Sequence, residues 1–268
     1  MGRSSLPAAG QASPLLLVVL ALAVAGCDLM TSPASPRPSR VSRTPEPVVA
    51  PSEGTDEVPT LRPDASGTGP DLVDAANALA DLDSYRVALV STGLVPASSA
   101  DGRVTMTSTL VQGDAPAAKF TMIGVDGLEG GRLDAVVIGD EAWLKTGGGR
   151  WAKSPGGAAD FDAAFTALSP IDLASGFDGL AGDLVAGARE TRNGIAATHY
   201  HVDADAPGAA AAGLSAGTVD VWLADTGGYL VALDVAGTWE VDGAPTPVTL
   251  QIDVSHVNDR ANGIAPPA

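Results

Sequence analysis

From Tyr85 onward the chain alternates apolar and polar residues in run after run, and this constrains its fold more than any other feature. Successive side chains of a strand point to opposite faces, so a period of two predicts a sheet with one apolar and one polar side. Tyr85, Val87 and Leu89 share a face of the first segment, Val104, Met106 and Leu110 a face of the second, and Phe120 and Met122 a face of the third. Further strands are predicted over residues 132–138, 141–146 and 150–153, with Gly139-Asp140 and Gly147-Gly148-Gly149 marking tight connections. Asn193-Gly194, between residues 188–192 and 197–202, is the clearest hairpin signal, because both residues tolerate the positive φ that a two-residue turn requires. Residues 218–224, 229–240 and 247–257 supply three more strands, and the short connections favour an antiparallel meander.

Helical spacing occurs in fewer places. Asp71 to Leu82 puts Leu72, Ala75, Ala76, Leu79 and Leu82 on one side, predicting a first helix. Residues 158–167 read as a short helix. Ser169-Pro170-Ile171-Asp172 reads as a helix start, with Ser at the N-cap, Pro at N1 and an acid at N3, for a helix running to about Ala186. Pro207 to Leu214 reads as a helical turn. No internal repeat and no second apolar core is apparent. The expected fold class is α+β, a curved antiparallel sheet with helices packed on one face. Only 4% of residues are aromatic, so Val, Leu, Ile and Ala must build most of the core.

Leu15 to Val24 form a short apolar stretch preceded by Arg3 and followed by Ala25-Gly26 and then Cys27, the single cysteine. Small residues before the cut suit a signal peptidase, and a cysteine directly after them is the acceptor of a thioether-linked diacylglyceryl group. Val24-Ala25-Gly26-Cys27 therefore reads as a bacterial lipobox. The stretch is too short to span a bilayer, which needs about 20 apolar residues. Residues 1–26 are the expected signal peptide, Cys27 the lipidation site, and the extracytoplasmic face of a bacterial cell membrane the expected address. The alternative is an ordinary secretory signal with a chance cysteine. An exported chain with one cysteine has no internal disulfide, so its fold rests on apolar packing.

Between Thr31 and Gly69 stand eight prolines among Ser, Thr, Glu and Asp. Proline blocks both ladders and helices, and so little apolar surface does not repay ordering. Residues 27–69 are the expected lipidated N terminus and tether, its 39 residues from Thr31 to Gly69 reaching roughly 120 Å if fully extended as polyproline, and residues 70–268 the folded domain. Formal net charge is −17, and loss of the signal peptide removes Arg3 but no acid. Such acidity argues against nucleic-acid binding and against electrostatic docking on anionic headgroups, which the lipid anchor makes unnecessary.

Catalytic and cofactor signatures are missing: there is no G-x-S-x-G, no H-E-x-x-H and no P-loop, and lipidation consumes Cys27. His199 and His201 share one face of a predicted strand, a weak metal-ligand pattern more commonly due to surface histidines, and His256 is the third. Asp160 with Asp162, and Asp203 with Asp205, sit beside turns or helix starts where Asp bonds locally. The reading is of a non-enzyme without metal or cofactor.

The order of pieces carries a resemblance. A helix runs into Leu82-Asp83-Ser84-Tyr85, and strands lead to Ala142-Trp143-Leu144-Lys145 and the Ser169-Pro170 start. Gly187 to Asn193-Gly194, Thr198-His199-Tyr200 and Val219-Asp220-Val221-Trp222-Leu223-Ala224-Asp225 follow. From Asp71 to Val257 this resembles the LppX/LprG lipoproteins and, more distantly, the LolA-like lipoprotein carriers. The resemblance implies an incomplete β-barrel wrapped over helices, with an apolar cavity for acylated lipid between them. Met106, Leu110, Phe120, Met122, Trp143, Trp222 and Leu223 are the candidates to line it, Met being suited to irregular contacts. Each has the alternative of simply packing the sheet on the helices.

The expected function is therefore binding and transfer of acylated lipid by a membrane-anchored lipoprotein, with an envelope transporter as a candidate partner. The alternative is a non-transporting interaction or sensor module on the same fold.

Overall fold

A computed structural model describes residues 69–94, 99, 101–161, 173–174, 176–203, 205–211, 213–241 and 244–268. Asp71 caps α1 (Leu72–Asn77), accepting from the backbone N–H groups of Val73 and Asp74 at 2.8 and 3.1 Å. A 3-10 turn, Ala78–Asp81, continues it, and together they bury Leu72, Ala75, Ala76 and Leu79. The expected first helix is thus a short α-helix that tightens at its end.

Eleven strands follow among the described residues: β1 (Ser84–Thr92), β2 (Arg103–Val111), β3 (Ala117–Ile123), β4 (Arg132–Ile138), β5 (Glu141–Thr146) and β6 (Ala152–Lys153), then β7 (Val185–Arg192), β8 (Ile195–Asp203), β9 (Leu214–Ala224), β10 (Leu230–Val241) and β11 (Ala244–Ser255). A short helix, α2 (Pro207–Ala211), separates β8 from β9. The strands form one sheet in the order β6-β5-β4-β3-β2-β1-β11-β10-β9-β8-β7, every neighbouring pair antiparallel. The chain meanders from β1 out to one edge at β6, crosses to the opposite edge at β7, and meanders back until β11 pairs with β1. The sheet is open, with β6 and β7 as its edges.

Residues directly opposite in an antiparallel pair share a face. The register therefore links Tyr200, Val221, Leu233, Ile252, Leu89, Met106, Met122 and Leu133 into one apolar row across eight strands. This inner face packs against Leu72 and Leu79 of the first helix and against Phe161, Leu173, Phe177, Leu180 and Leu184 of the crossover. The next row out, His199, Trp222, Ala232, Asp253, Ala88, Thr107, Thr121, Asp134 and Lys145, belongs to the outer face and is mostly polar.

The crossover differs from expectation. Leu173 and Ala174 are helical and Asp178–Leu180 is a 3-10 turn, but Val185–Arg192 is β7 and not the end of a helix reaching Ala186. Pairing with β8 outweighs the local Ala and Leu content. Gly157–Asp160 is a 3-10 turn where a helix over 158–167 is expected. Residues 162–167 and the Ser169-Pro170 start lie outside the described residues. The Asn193-Gly194 turn has φ of 54° and 82°, the geometry of a tight two-residue hairpin.

Candidate functional site

Five of the seven candidate lining residues stand on the inner face. Met106 and Met122 are directly opposite each other in β2 and β3 and buried. Phe120, two residue pairs along, meets the crossover edge-on, its ring 6.4 Å from that of Phe161 at 67°. Leu110 is half-buried beside this group, and Leu223 is buried on β9 among Val219, Val221 and Leu230. The face is thus continuous from Leu223 to Met122, but β10, β11 and β1 lie between Leu223 on β9 and the Met pair on β2 and β3.

Trp143 and Trp222 stand on the outer face. Each is the chain neighbour of an inner leucine, Leu144 or Leu223, and alternation sends it the other way. Trp143 lies in the row Arg86, Thr109, Lys119, Val136, Trp143, Lys153, with the Lys153 ammonium 5.8 Å from its ring centre. Cys27 lies outside the described residues.

Cover of the inner face is uneven. On β9 to β11, Val221, Leu233 and Ile252 are at most 1% exposed. Toward β2 and β5, Leu110 and Leu144 and the loop residues Val125 and Leu128 are only half-buried while still packed on the core. This end of the face combines two adaptable Met side chains with a partly open apolar rim.

The outer face carries a polar cluster around Trp222. His199 stacks on the indole, ring centres 4.6 Å apart and 11° from parallel, and the Arg192 guanidinium lies 4.4 Å from the ring centre. The indole N–H donates to Glu190. His199 Nε2 is 2.8 Å and His201 Nδ1 3.0 Å from the same Asp220 oxygen, and His201 Nε2 is 3.0 Å from Asp203. Hydrogen bonds from Asp220 first and Asp203 second raise the His201 pKa above the ordinary imidazole value. Arg192 reaches Asp234 and Asp253 at 3.1 and 3.2 Å, while the amide of Asn193 donates to Asp253 and to the Val254 carbonyl. The β7–β8 hairpin tip is therefore tied to β11, although β9 and β10 lie between them in the sheet. Burial pushes the Asp234 carboxyl upward, against the opposing pull of Arg192. The two histidines thus share a carboxylate, and no group of three or more metal-ligating side chains forms among the described residues.

Sequence reasoning placed both histidines on one face but missed Asp220, Arg192 and Asp234, whose meeting depends on strand register and sheet curvature. No signal in the sequence locates them.

No family model matches the sequence, and no curated protein matches it. Solved structures are similar to it. LprF from Mycobacterium bovis has 15% identity and a TM-score of 0.43, over 74% of this chain and 94% of that one. The Pseudomonas aeruginosa MucA/MucB complex has 14% identity and a TM-score of 0.29, over 72% of this chain and 56% of that one. A LolA superfamily protein from Nitrosomonas europaea has 11% identity and a TM-score of 0.24, over 73% of this chain and 93% of that one.

Proposed function

We propose that this chain is a bacterial lipoprotein, anchored through Cys27 on the extracytoplasmic face of the membrane. In this reading residues 27–69 are a tether, and the domain from residue 70 onward binds acylated lipid against its inner face and passes it on. Nothing in it calls for catalysis. The observation that carries it is the uneven cover of the inner face, where the partly exposed Leu110 and Leu144 rim the buried Met106 and Met122, while Val221, Leu233 and Ile252 are fully covered. An acyl chain gains ~0.8 kcal/mol per buried CH₂, about 12 kcal/mol for sixteen carbons, so bare transfer through water is slow and a shield of this kind speeds it.

The alternative, an interaction or sensor module, is favoured by how completely Phe161, Phe177 and Leu180 fill the described inner face. One experiment separates the two. The full-length protein is produced in a bacterial envelope, and its organic extract is analysed by mass spectrometry for lipid that is not covalently attached. Near-stoichiometric lipid, lost in Leu110→Glu or Met122→Gln protein that remains folded, supports the carrier. Folded protein that is empty and rejects a fluorescent fatty acid supports the interaction module and removes the carrier.

A further inference from the structure

The outer face of β1 to β3 carries an open groove of about 490 Å³ that has no part in the lipid reading and does not depend on it. Arg86, Thr109 and Lys119 lie in one cross-strand row on its floor, with Thr107 and Thr121 in the adjacent row. The C-terminal segment at Ala261, Gly263 and Ile264 forms one wall.

Arg86 is held but not neutralised. Its Nε donates to Asn262 Oδ1 at 2.9 Å and its Nη2 to the Ala261 carbonyl at 3.1 Å, both uncharged acceptors. Asn262 is itself fixed: it is 2% exposed, and its amide donates to Ser84 Oγ and the His256 carbonyl. The remaining guanidinium N–H donors make no hydrogen bond among the described residues. Lys119 is exposed and forms no ion pair among the described residues. The two acids nearest in the adjacent outer row are occupied elsewhere, Asp253 by Arg192 and Asn193, and Asp134 by Arg132 and Thr121. Net charge of −17 opposes any anion at long range, but at physiological salt that field is screened beyond roughly 8 Å, so the local groups decide.

We propose that this groove binds a phosphate-class oxyanion, clamped between the Arg86 guanidinium and the Lys119 ammonium and hydrogen-bonded by the Thr109 hydroxyl between them. The oxyanion is free phosphate or the phosphodiester of a lipid headgroup, which present the same oxygens to these donors. Arg86 is the positioned, directional donor, and Lys119 adds a mobile point charge.

The test is an NMR titration of the full-length Cys27→Ser protein, which carries no acyl group. Inorganic phosphate is added in one arm and glycerophosphoglycerol, a headgroup without acyl chains, in the other, with glycerol as control. The expected result is saturable shifts of the amides of residues 107–109, 119–121 and 263–264 with at least one anion and none with glycerol. Tighter binding of glycerophosphoglycerol identifies a headgroup as the source, and tighter binding of phosphate identifies the free ion. Lys119→Gln, which removes no side-chain hydrogen bond or ion pair among the described residues, weakens binding about tenfold, the equivalent of one lost charge-assisted contact. Arg86→Gln abolishes it. Absence of saturation with both anions, or unchanged affinity in Lys119→Gln, overturns the proposal.

Discussion

His199 stacks on Trp222 across the β8–β9 pair, ring centres 4.6 Å apart, and this contact borders a small apolar cluster of Trp222 with Ala197, Ala224, Val231 and Ala232 on the outer face. With Arg192 also over the indole and Glu190 accepting its N–H, a tryptophan only 7% exposed ties the β7–β8 hairpin to the rest of the sheet. Trp222→Ala is expected to destabilise the protein by about 3–5 kcal/mol, the range for removing a buried Trp. Urea unfolding measures the loss, and hydrogen exchange should show the β7 and β8 amides opening first.

The same cluster carries a pH dependence. The folded His201 pKa lies above its unfolded value because Asp220 and Asp203 bond the charged ring. Its contribution is therefore fully present below the unfolded value of about 6.5 and is lost as pH rises through the folded one. The thermal midpoint is expected to fall as pH rises from about 6 to 8, and His201→Gln to flatten that slope. The ring is 38% exposed, so solvent screening keeps the effect small. A slope unchanged in His201→Gln would assign the dependence to another group.

Asp134 acts in the opposite sense at lower pH. Arg132 first, and then Thr121 at 2.7 Å, hold this carboxyl below the usual carboxylate range, against its own burial. A depressed folded pKa contributes stability present above the unfolded value and lost as pH falls through the folded one. Asp134→Asn is expected to cost about 1–3 kcal/mol at neutral pH and to remove part of the acid lability, as read from urea midpoints at neutral and acid pH.

How much of this was legible in the sequence follows from what each strand buries. β1 alternates because only one of its faces enters the core, and Tyr85, Val87 and Leu89 announced it. β7 was legible only in its second half, through the Asn193-Gly194 turn: it is an edge strand whose residues are almost all exposed, so it has no apolar alternation to read, and Val185 and Ala186 passed for a helix end. Trp143 and Trp222 were singled out by size, yet their neighbours Leu144 and Leu223 already claimed the inner face. The shared Asp220 of the two histidines, and the alignment of Arg86 with Lys119, require a register that one sequence does not encode locally. The pairing of β1 with β11 is longer-range still, since no local turn joins them.

Gly217 and Gly237 stand opposite each other in β9 and β10, where neither strand leaves room for a side chain. Gly217 has φ of +131°, and a Cβ there would stand 1.8 Å from the Ala236 carbonyl oxygen. A Cβ on Gly237 would meet the Ala216 carbonyl oxygen at 2.1 Å, so neither strand can yield to the other. The register shifts nearby, between Thr238 and Trp239, as expected where a strand bends. Gly217→Ala should therefore combine backbone strain with overpacking and cost about 2–5 kcal/mol. Gly148→Ala is the control: a Cβ there meets nothing within 4 Å and the residue has no positive φ, so it should be neutral or stabilise by about 0.4–1 kcal/mol through the unfolded chain. Urea midpoints of the two variants test this directly. If Gly217→Ala matches Gly148→Ala, β9 and β10 do not approach this closely, and the bend that wraps the inner face around its cover does not originate at this pair.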